Sequence, residues 1–487
     1  MRPSPTLPAD PRLARGVVAV LLATAASATA VALATPLFSS ADEAVHFDHA
    51  YQVWRGTLPV FEDGAVVDPP FGFVAPWQWT AQHPPLYYAL LAPVVGPVTG
   101  AAGYLLAGYG ARALNVGIAV LLVAAVMWAT AQVLPRRPRL VLATGVVAAS
   151  STWLMRTGAE IYNDNFAALW ATALLGVTAR VLRLGMTPGR TAALAAVGSA
   201  GMLSRAAVAT VLAACLIAVV LSALPGGRRG RWTRLLRSAG WATGIGATVL
   251  AAALWFYVRN YRLTGRFTGG QPEWGQEVMG RTERSLAELV TDPAGWVRLG
   301  KLFGHGRAFD AELLTVATVV LPLLVGVVVL VRRRREHPPG RGDAGPLALV
   351  GATTALVVLQ QLLYATEGGQ LHARYLLPVA VPVFLVLAAG LAGLPRVGAA
   401  ALAVWALVVQ GQLGTWMVAA VTRVPEPGDA PTFPVAAVAV LLLGYVAVTF
   451  AVLSVRATPW VAPGPPRHVR AGRSALPSRS PERVLAT

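Results

Sequence analysis

Charge is scarce in this chain, and what there is leans one way. Only 13% of the 487 residues are Asp, Glu, Lys or Arg, about half the share of a soluble globular protein. Lysine is almost missing: Lys301 stands alone, and every other basic residue is Arg. The single cysteine, Cys215, sits in an apolar run, which excludes a disulfide framework and a thiolate metal site. Too little charge for a wetted surface excludes an ordinary cytosolic enzyme, a nucleic-acid-binding module and a disordered chain. What is present is apolar: 55% hydrophobic residues and a mean hydropathy of +0.59, with a formal net charge of +18. That combination describes a membrane protein whose bases are sorted by side. Arg in place of Lys, beside 48 Gly and 36 Pro, suggests a GC-rich bacterial genome.

A membrane-crossing helix takes about 20 mostly apolar residues. The hydropathy pattern predicts an all-α polytopic bundle of twelve spans, near 16–38, 111–134, 139–155, 166–184, 191–204, 206–224, 239–258, 312–331, 346–366, 375–394, 398–420 and 434–455. The stretch 191–224 is too long for one crossing and carries Arg205 near its middle, so it reads as a hairpin. The stretch 86–99, with Pro93 and Pro97, reads as a helix lying in the interface. Placing both termini in the cytoplasm puts most of the Arg on the inner side, with only Asp10, Glu336, Asp343 and Glu482 among the acids there. Every inner loop then obeys the positive-inside rule. The N-terminal apolar run is of spanning length without a small-residue cleavage pattern, so it reads as a retained helix and not a cleaved signal. The expected organisation is a short cytoplasmic segment (1–15), a membrane module (16–394) with long outer loops at 39–85 and 259–311, a C-terminal hairpin (395–456) and a basic, disordered tail (457–487).

Inner loops are short, so an extended site must lie outside. Directly after the first span comes Ala41-Asp42-Glu43-Ala44-Val45-His46. On a helix, Asp42, His46 and His49 fall within two turns of each other. Such a group can act as general base with a second carboxylate for a cation or an acceptor hydroxyl; it is equally a solvated cap on a hydrophobic run. Gln82-His83-Pro84-Pro85-Leu86-Tyr87-Tyr88 suits a helix that starts at the interface. In Tyr162-Asn163-Asp164-Asn165, Asp164 is either a second acidic ligand or a helix cap. Arg205 and Arg374 each hold a phosphate at the membrane surface or simply snorkel.

Taken in order, these elements resemble the GT-C superfamily of polytopic glycosyltransferases, which includes the protein O-mannosyltransferases and the aminoarabinose transferases of lipid A. The matching motifs are Asp42-Glu43, the continuation to Trp54-Arg55-Gly56-Thr57-Leu58-Pro59, His83-Pro84-Pro85-Leu86-Tyr87-Tyr88, Tyr162-Asn163-Asp164-Asn165, Arg205 and Arg374-Tyr375-Leu376-Leu377-Pro378. The resemblance covers about residues 16–394. The resemblance implies a polyprenyl-phosphate sugar as donor and an envelope glycan, lipid or protein as acceptor, joined with inversion on the non-cytoplasmic face of a bacterial plasma membrane. It implies Asp42 as catalytic base with Glu43 beside it, and His46, His83 and Asp164 near the acceptor or a metal. Arg205 and Arg374 would bind the donor phosphate. A divalent cation (Mg or Mn) near Glu43 and Asp164 is a further implication. Two departures stand out: Arg205 occurs where the family often has Lys, and no long folded outer domain follows the last span. A lipid-linked glycan flippase or other twelve-span transporter is the competing reading, and a non-catalytic scaffold a third. Against a transporter, residues 16–224 and 239–455 show no internal repeat, and no charged relay lies within the spans.

Overall fold

A computed structural model describes residues 11–73, 75–224, 230–303, 311–336, 344–394 and 396–461. Most of the expected basic tail, the first ten residues and part of the Arg332 to Arg341 inner loop lie outside the described residues. The chain is helical, without a strand among the described residues. It opens with α1 (Pro11–Ala34) and α2 (Ala41–Trp54). After a 3-10 turn (Trp79–Gln82) come α3 (Leu86–Val133), α4 (Pro138–Ala149), α5 (Thr152–Ala159) and α6 (Asp164–Leu184). Next are α7 (Pro188–Met202), α8 (Val208–Leu221) and α9 (Arg231–Thr264). Three short helices follow, α10 (Pro272–Glu277), α11 (Leu286–Thr291) and α12 (Pro293–Gly300). The remainder is α13 (Ala311–Thr315), joined by a π-helical turn to α14 (Leu321–Glu336), then α15 (Ala344–Thr366), a 3-10 segment (Ala373–Val379) leading into α16 (Ala380–Ala392), α17 (Gly398–Val421) and α18 (Pro434–Ala457).

The chain is a multi-pass membrane protein. Among the described residues nine helices are long and apolar enough to cross a bilayer, or ten if the pair α4 and α5, bent by 59°, is one broken span. Twelve crossings were expected; by this measure the count falls short at 191–224. There the hairpin forms as predicted, but α7 has 15 residues and α8 has 14. At about 1.5 Å per residue neither reaches the roughly 30 Å of a hydrocarbon core. The stretch 86–99 is helical, and α3 breaks at Gly103, whose φ of +81° suits only glycine, instead of at Pro93 or Pro97.

Exposed faces of the long helices carry large apolar side chains such as Leu22, Leu121, Leu250, Leu407 and Leu443, as a lipid-facing surface requires. Inside, the largest core joins α1, α3, α4, α6 and α16 through small residues and branched aliphatics. Small residues matter because lipid supplies no hydrophobic drive between helices, so close backbone approach must hold them. Where α14 crosses α16, a Cβ on Gly390 would run into the Pro322 carbonyl oxygen, and one on Gly326 into that of Val386. Gly390→Ala should therefore destabilise the detergent-solubilised protein by about 1–3 kcal/mol, the usual cost of overpacking. Gly351→Ala on α15, where nothing lies within 4 Å of the added carbon, should be neutral or stabilising. Thermal unfolding followed by fluorescence checks both; equal melting temperatures for the two variants would refute the close crossing.

Candidate active site at the loop-bearing end of the bundle

Residues 41–54 form a helix because two acids, Asp42 and Glu43, stand in its first turn and favour the positive end of its dipole. Consecutive helix positions differ by about 100°, so the two carboxylates go different ways. Asp42 faces a cavity of about 590 Å³. Glu43 turns into the protein and is fully buried. Its oxygens accept from Arg112 Nε and Nη2, both at 2.7 Å, from the Phe38 amide at 2.9 Å and from the Ile161 amide at 3.1 Å. Arg112, also buried, spends its remaining donors on the carbonyls of Ala32, Thr35 and Pro36. All five guanidinium N–H groups are thus used. This pair locks the end of α1 and the start of α2 onto α3. Glu43, expected beside Asp42 as a catalytic or metal-adjacent group, does not line the cavity.

Asp48, another acid of the first loop, is equally inward. It accepts from the amides of Val66 and Val67 and from Gln52 and Gln78, pinning the 55–82 loop against α2. That loop delivers Trp79, whose Nε1 donates to Asp42 Oδ1 at 2.9 Å. The other Asp42 oxygen is 3.0 Å from Arg374 Nη1. Burial pulls the Asp42 carboxyl upward, but the Arg374 guanidinium, His46 and the two hydrogen bonds outweigh it and leave its pKa below the ordinary value.

The second expected acid, Asp164, begins α6 and is paired with Arg205 Nη1. Arg205 also donates to Asn163 Oδ1 at 3.1 Å. Asp42, His46, His83, Asp164, Arg205 and Arg374 all line the one cavity. The two pairs meet at Tyr375: the guanidinium carbons of Arg205 and Arg374 lie 5.4 and 5.2 Å from its ring centroid. Arg374 also lies 5.2 Å from the ring of Tyr162. Arg374 Nε is buried and unpartnered among the described residues, so this arginine is not fully satisfied by the protein.

His46 bonds through Nδ1 to the Tyr88 hydroxyl at 2.8 Å and lies parallel to His83, with ring centroids 5.9 Å apart. Burial drives His46 down to about 4 despite the opposing pull of Asp42 and Asp164. His83 is also held well below its usual value, again mainly by burial. Both are therefore neutral near pH 7. As for a cation, three carboxylates line the cavity, Asp42, Asp164 and Glu367, and each is engaged by an arginine; among the described residues no three His, Cys, Asp or Glu side chains form a metal-binding group. The pairing of Glu43 with Asp164 expected for a Mg or Mn ion does not form, because Glu43 is turned inward onto Arg112.

Trp79 and Trp274 were not foreseen as parts of this site, Tyr375 was named only within the Arg374 motif, and the buried support from Arg112 was missed. Arg112 lies within an apolar run with no local signature, and its partner is 69 positions away.

Among solved structures, the chain is similar to ArnT from Cupriavidus metallidurans bound to undecaprenyl phosphate, with a TM-score of 0.53 at 14% identity over 91% of this chain and 76% of that one. The fold is similar to that of ArnT. The apo state of the same ArnT gives a TM-score of 0.52 at 13% identity, over 91% and 76% of the two chains. The oligosaccharyltransferase AglB from Archaeoglobus fulgidus, in complex with an inhibitory peptide and a dolichol-phosphate, gives 0.46 at 13% identity, over 93% of this chain and 56% of that one. No protein-family model and no curated protein matches the sequence. The likeness to ArnT thus stands on the course of the backbone, while the cavity's chemistry stands on this chain's own side chains.

With Asp42 lowered, His46 near 4 and His83 well below its usual value, none of these three groups changes charge between about pH 5.5 and pH 7.5. A neutral His46 is lost only as pH falls through about 4, and an ionised Asp42 only lower still. The acid limb of a kcat/KM profile, which reports groups of the free protein, should fall below pH 5; an acid limb with a midpoint between 6 and 7 would contradict this electrostatic account.

Proposed function

We propose that the chain is an inverting membrane glycosyltransferase that moves a sugar from a polyprenyl-phosphate donor to an envelope acceptor. The observation that carries this reading is the convergence of Asp42, Arg205 and Arg374 on one cavity. A carboxylate that can take a proton stands beside two guanidinium groups that can take a phosphate. The setting is the outer face of a bacterial plasma membrane, with both chain termini in the cytoplasm. Sequence charge supports that orientation, since the cavity is built from the loops opposite the arginine-rich ones.

The donor's phosphate enters as a competitor. Arg374 is bound to Asp42, and Arg205 to Asp164; a phosphate offers both arginines a bidentate acceptor. As Arg374 turns to the phosphate, Asp42 loses the contact that most depresses its pKa and becomes a stronger base. The acceptor oxygen then attacks the anomeric carbon from the face opposite the phosphate. The bond from that carbon to the phosphate oxygen breaks, the acceptor's proton passes to Asp42, and polyprenyl phosphate leaves with one more negative charge. Arg205 and Arg374 stabilise that growing charge where water is scarce, which is usually the largest contribution an enzyme makes. Trp79, through its bond to Asp42 Oδ1, holds the base in position. No step in this sequence passes through a cation.

Asp42→Asn preserves shape and removes the base, so turnover of a polyprenyl-phosphate sugar should drop at least about 100-fold while the protein still binds undecaprenyl phosphate. Mass spectrometry of envelope glycans from a deletion strain complemented with Asp42→Asn checks this in cells. Restoration of every glycan linkage by the variant would sink the assignment of Asp42; a flippase would move lipid across liposomes without making a glycosidic bond.

A further inference from the structure

The cavity wall built from residues 61–82 and 271–281 is aromatic. Trp274 stands at its centre, with Phe61 edge-on at 5.4 Å between centroids, Trp77 edge-on at 5.5 Å and Trp79 roughly parallel at 6.1 Å. All four line the cavity and are half-buried. Trp79 is the ring that donates to Asp42, so this platform begins one hydrogen bond from the proposed base.

Polar atoms without partners surround it. Trp274 Nε1, Arg281 Nε, Gln360 Oε1 and Gln361 Oε1 are buried and unsatisfied among the described residues, and all four side chains line the cavity. Arg281 also lacks a carboxylate partner there, unlike Arg205, Arg266 and Arg374. An unsatisfied buried polar group costs about 1–3 kcal/mol, so four around one cavity, Trp274 and Arg281 on this wall and Gln360 and Gln361 on α15, mark a surface that a ligand completes. Two of these atoms are donors and two are acceptors. A hydroxyl, which both donates and accepts, matches that set.

Resting on the donor reading above, we propose that this wall is the acceptor subsite and that the acceptor is a saccharide. The C–H face of a sugar ring is attracted to the negative face of an indole, while its ring of hydroxyls reaches the amides and the guanidinium. An acyl chain would use the rings but leave the four polar atoms unpaired. An extended peptide presents one N–H and one C=O per residue along a line and offers no apolar ring face to the indoles.

The test uses the full-length protein in detergent with mannotetraose, arabinotetraose and galactotetraose as probes, beside a hexapeptide mixture, in saturation-transfer NMR. At least one tetrasaccharide should bind saturably. Trp274→Ala and, as an independent variant in a loop, Arg281→Met should each weaken it at least ten-fold, and Trp232→Ala, far out on α9 and 78% exposed, should not. Undecaprenyl phosphate should raise the melting temperature of wild type and of both weakened variants alike, which also shows that they are folded. No saccharide binding, binding that both variants retain, or binding of peptides alone overturns the proposal. Failure of undecaprenyl phosphate to stabilise the wild type would instead overturn the donor reading.

Discussion

A charge held in a membrane protein is costly unless it is paired or hydrogen-bonded, and at three points of this chain the partner is an arginine. Three carboxylates near the loop-bearing end are each matched by a guanidinium from a distant element: Glu43 by Arg112, Asp42 by Arg374, and Asp164 by Arg205. An unpaired buried carboxylate or guanidinium is costly enough that removing one member of such a pair takes about 3–5 kcal/mol from stability. The pairs therefore do the joining that hydrophobic burial cannot do where the bundle gives way to loops. They tie α2 to α3, α2 to the 3-10 segment before α16, and α6 to the turn between α7 and α8.

The three pairs differ in what remains unspent. Glu43 and Arg112 are 0% and 1% exposed and make every bond they can, so their pair is a rivet. Asp42 and Arg374 are 32% and 18% exposed, border a cavity and leave Arg374 Nε without a partner. A partly exposed ion pair at a cavity can exchange partners at modest cost, because an incoming phosphate replaces the carboxylate it displaces. One motif, Asp42-Glu43, thus supplies both a fixed hinge-pin and a group free to react. The 100° step of the helix separates the two roles.

Much of this was legible in the sequence. Hydropathy located every long helix, and the loops read as outer contribute much of the cavity lining. The motifs around Asp42, His83, Asp164, Arg205 and Arg374 named residues that do line one cavity. What could not be read was pairing between distant positions. Nothing near Arg112 announces a partner 69 residues away, and Trp274 sits in a short polar helix (α10) whose contact with Trp79 exists only after folding. The hairpin at 191–224 was placed, but its helices have only 15 and 14 residues, and hydropathy by itself does not tell a short apolar helix from a full crossing. Glu43 was assigned to the site because adjacency in sequence was taken as adjacency in space; on a helix it is the reverse.

The central claim is that a lipid phosphate takes the arginines away from their aspartates. Its most direct test is the dissociation constant of undecaprenyl phosphate measured for wild type, Arg205→Ala and Arg374→Ala in the same detergent. Loss of one charge-assisted contact of about 1.5–3 kcal/mol corresponds to at least a ten-fold weaker constant for each variant, with retained thermal unfolding showing that both still fold. Affinities equal to wild type in both variants would mean that the phosphate does not bind between these guanidinium groups, and the account would be wrong.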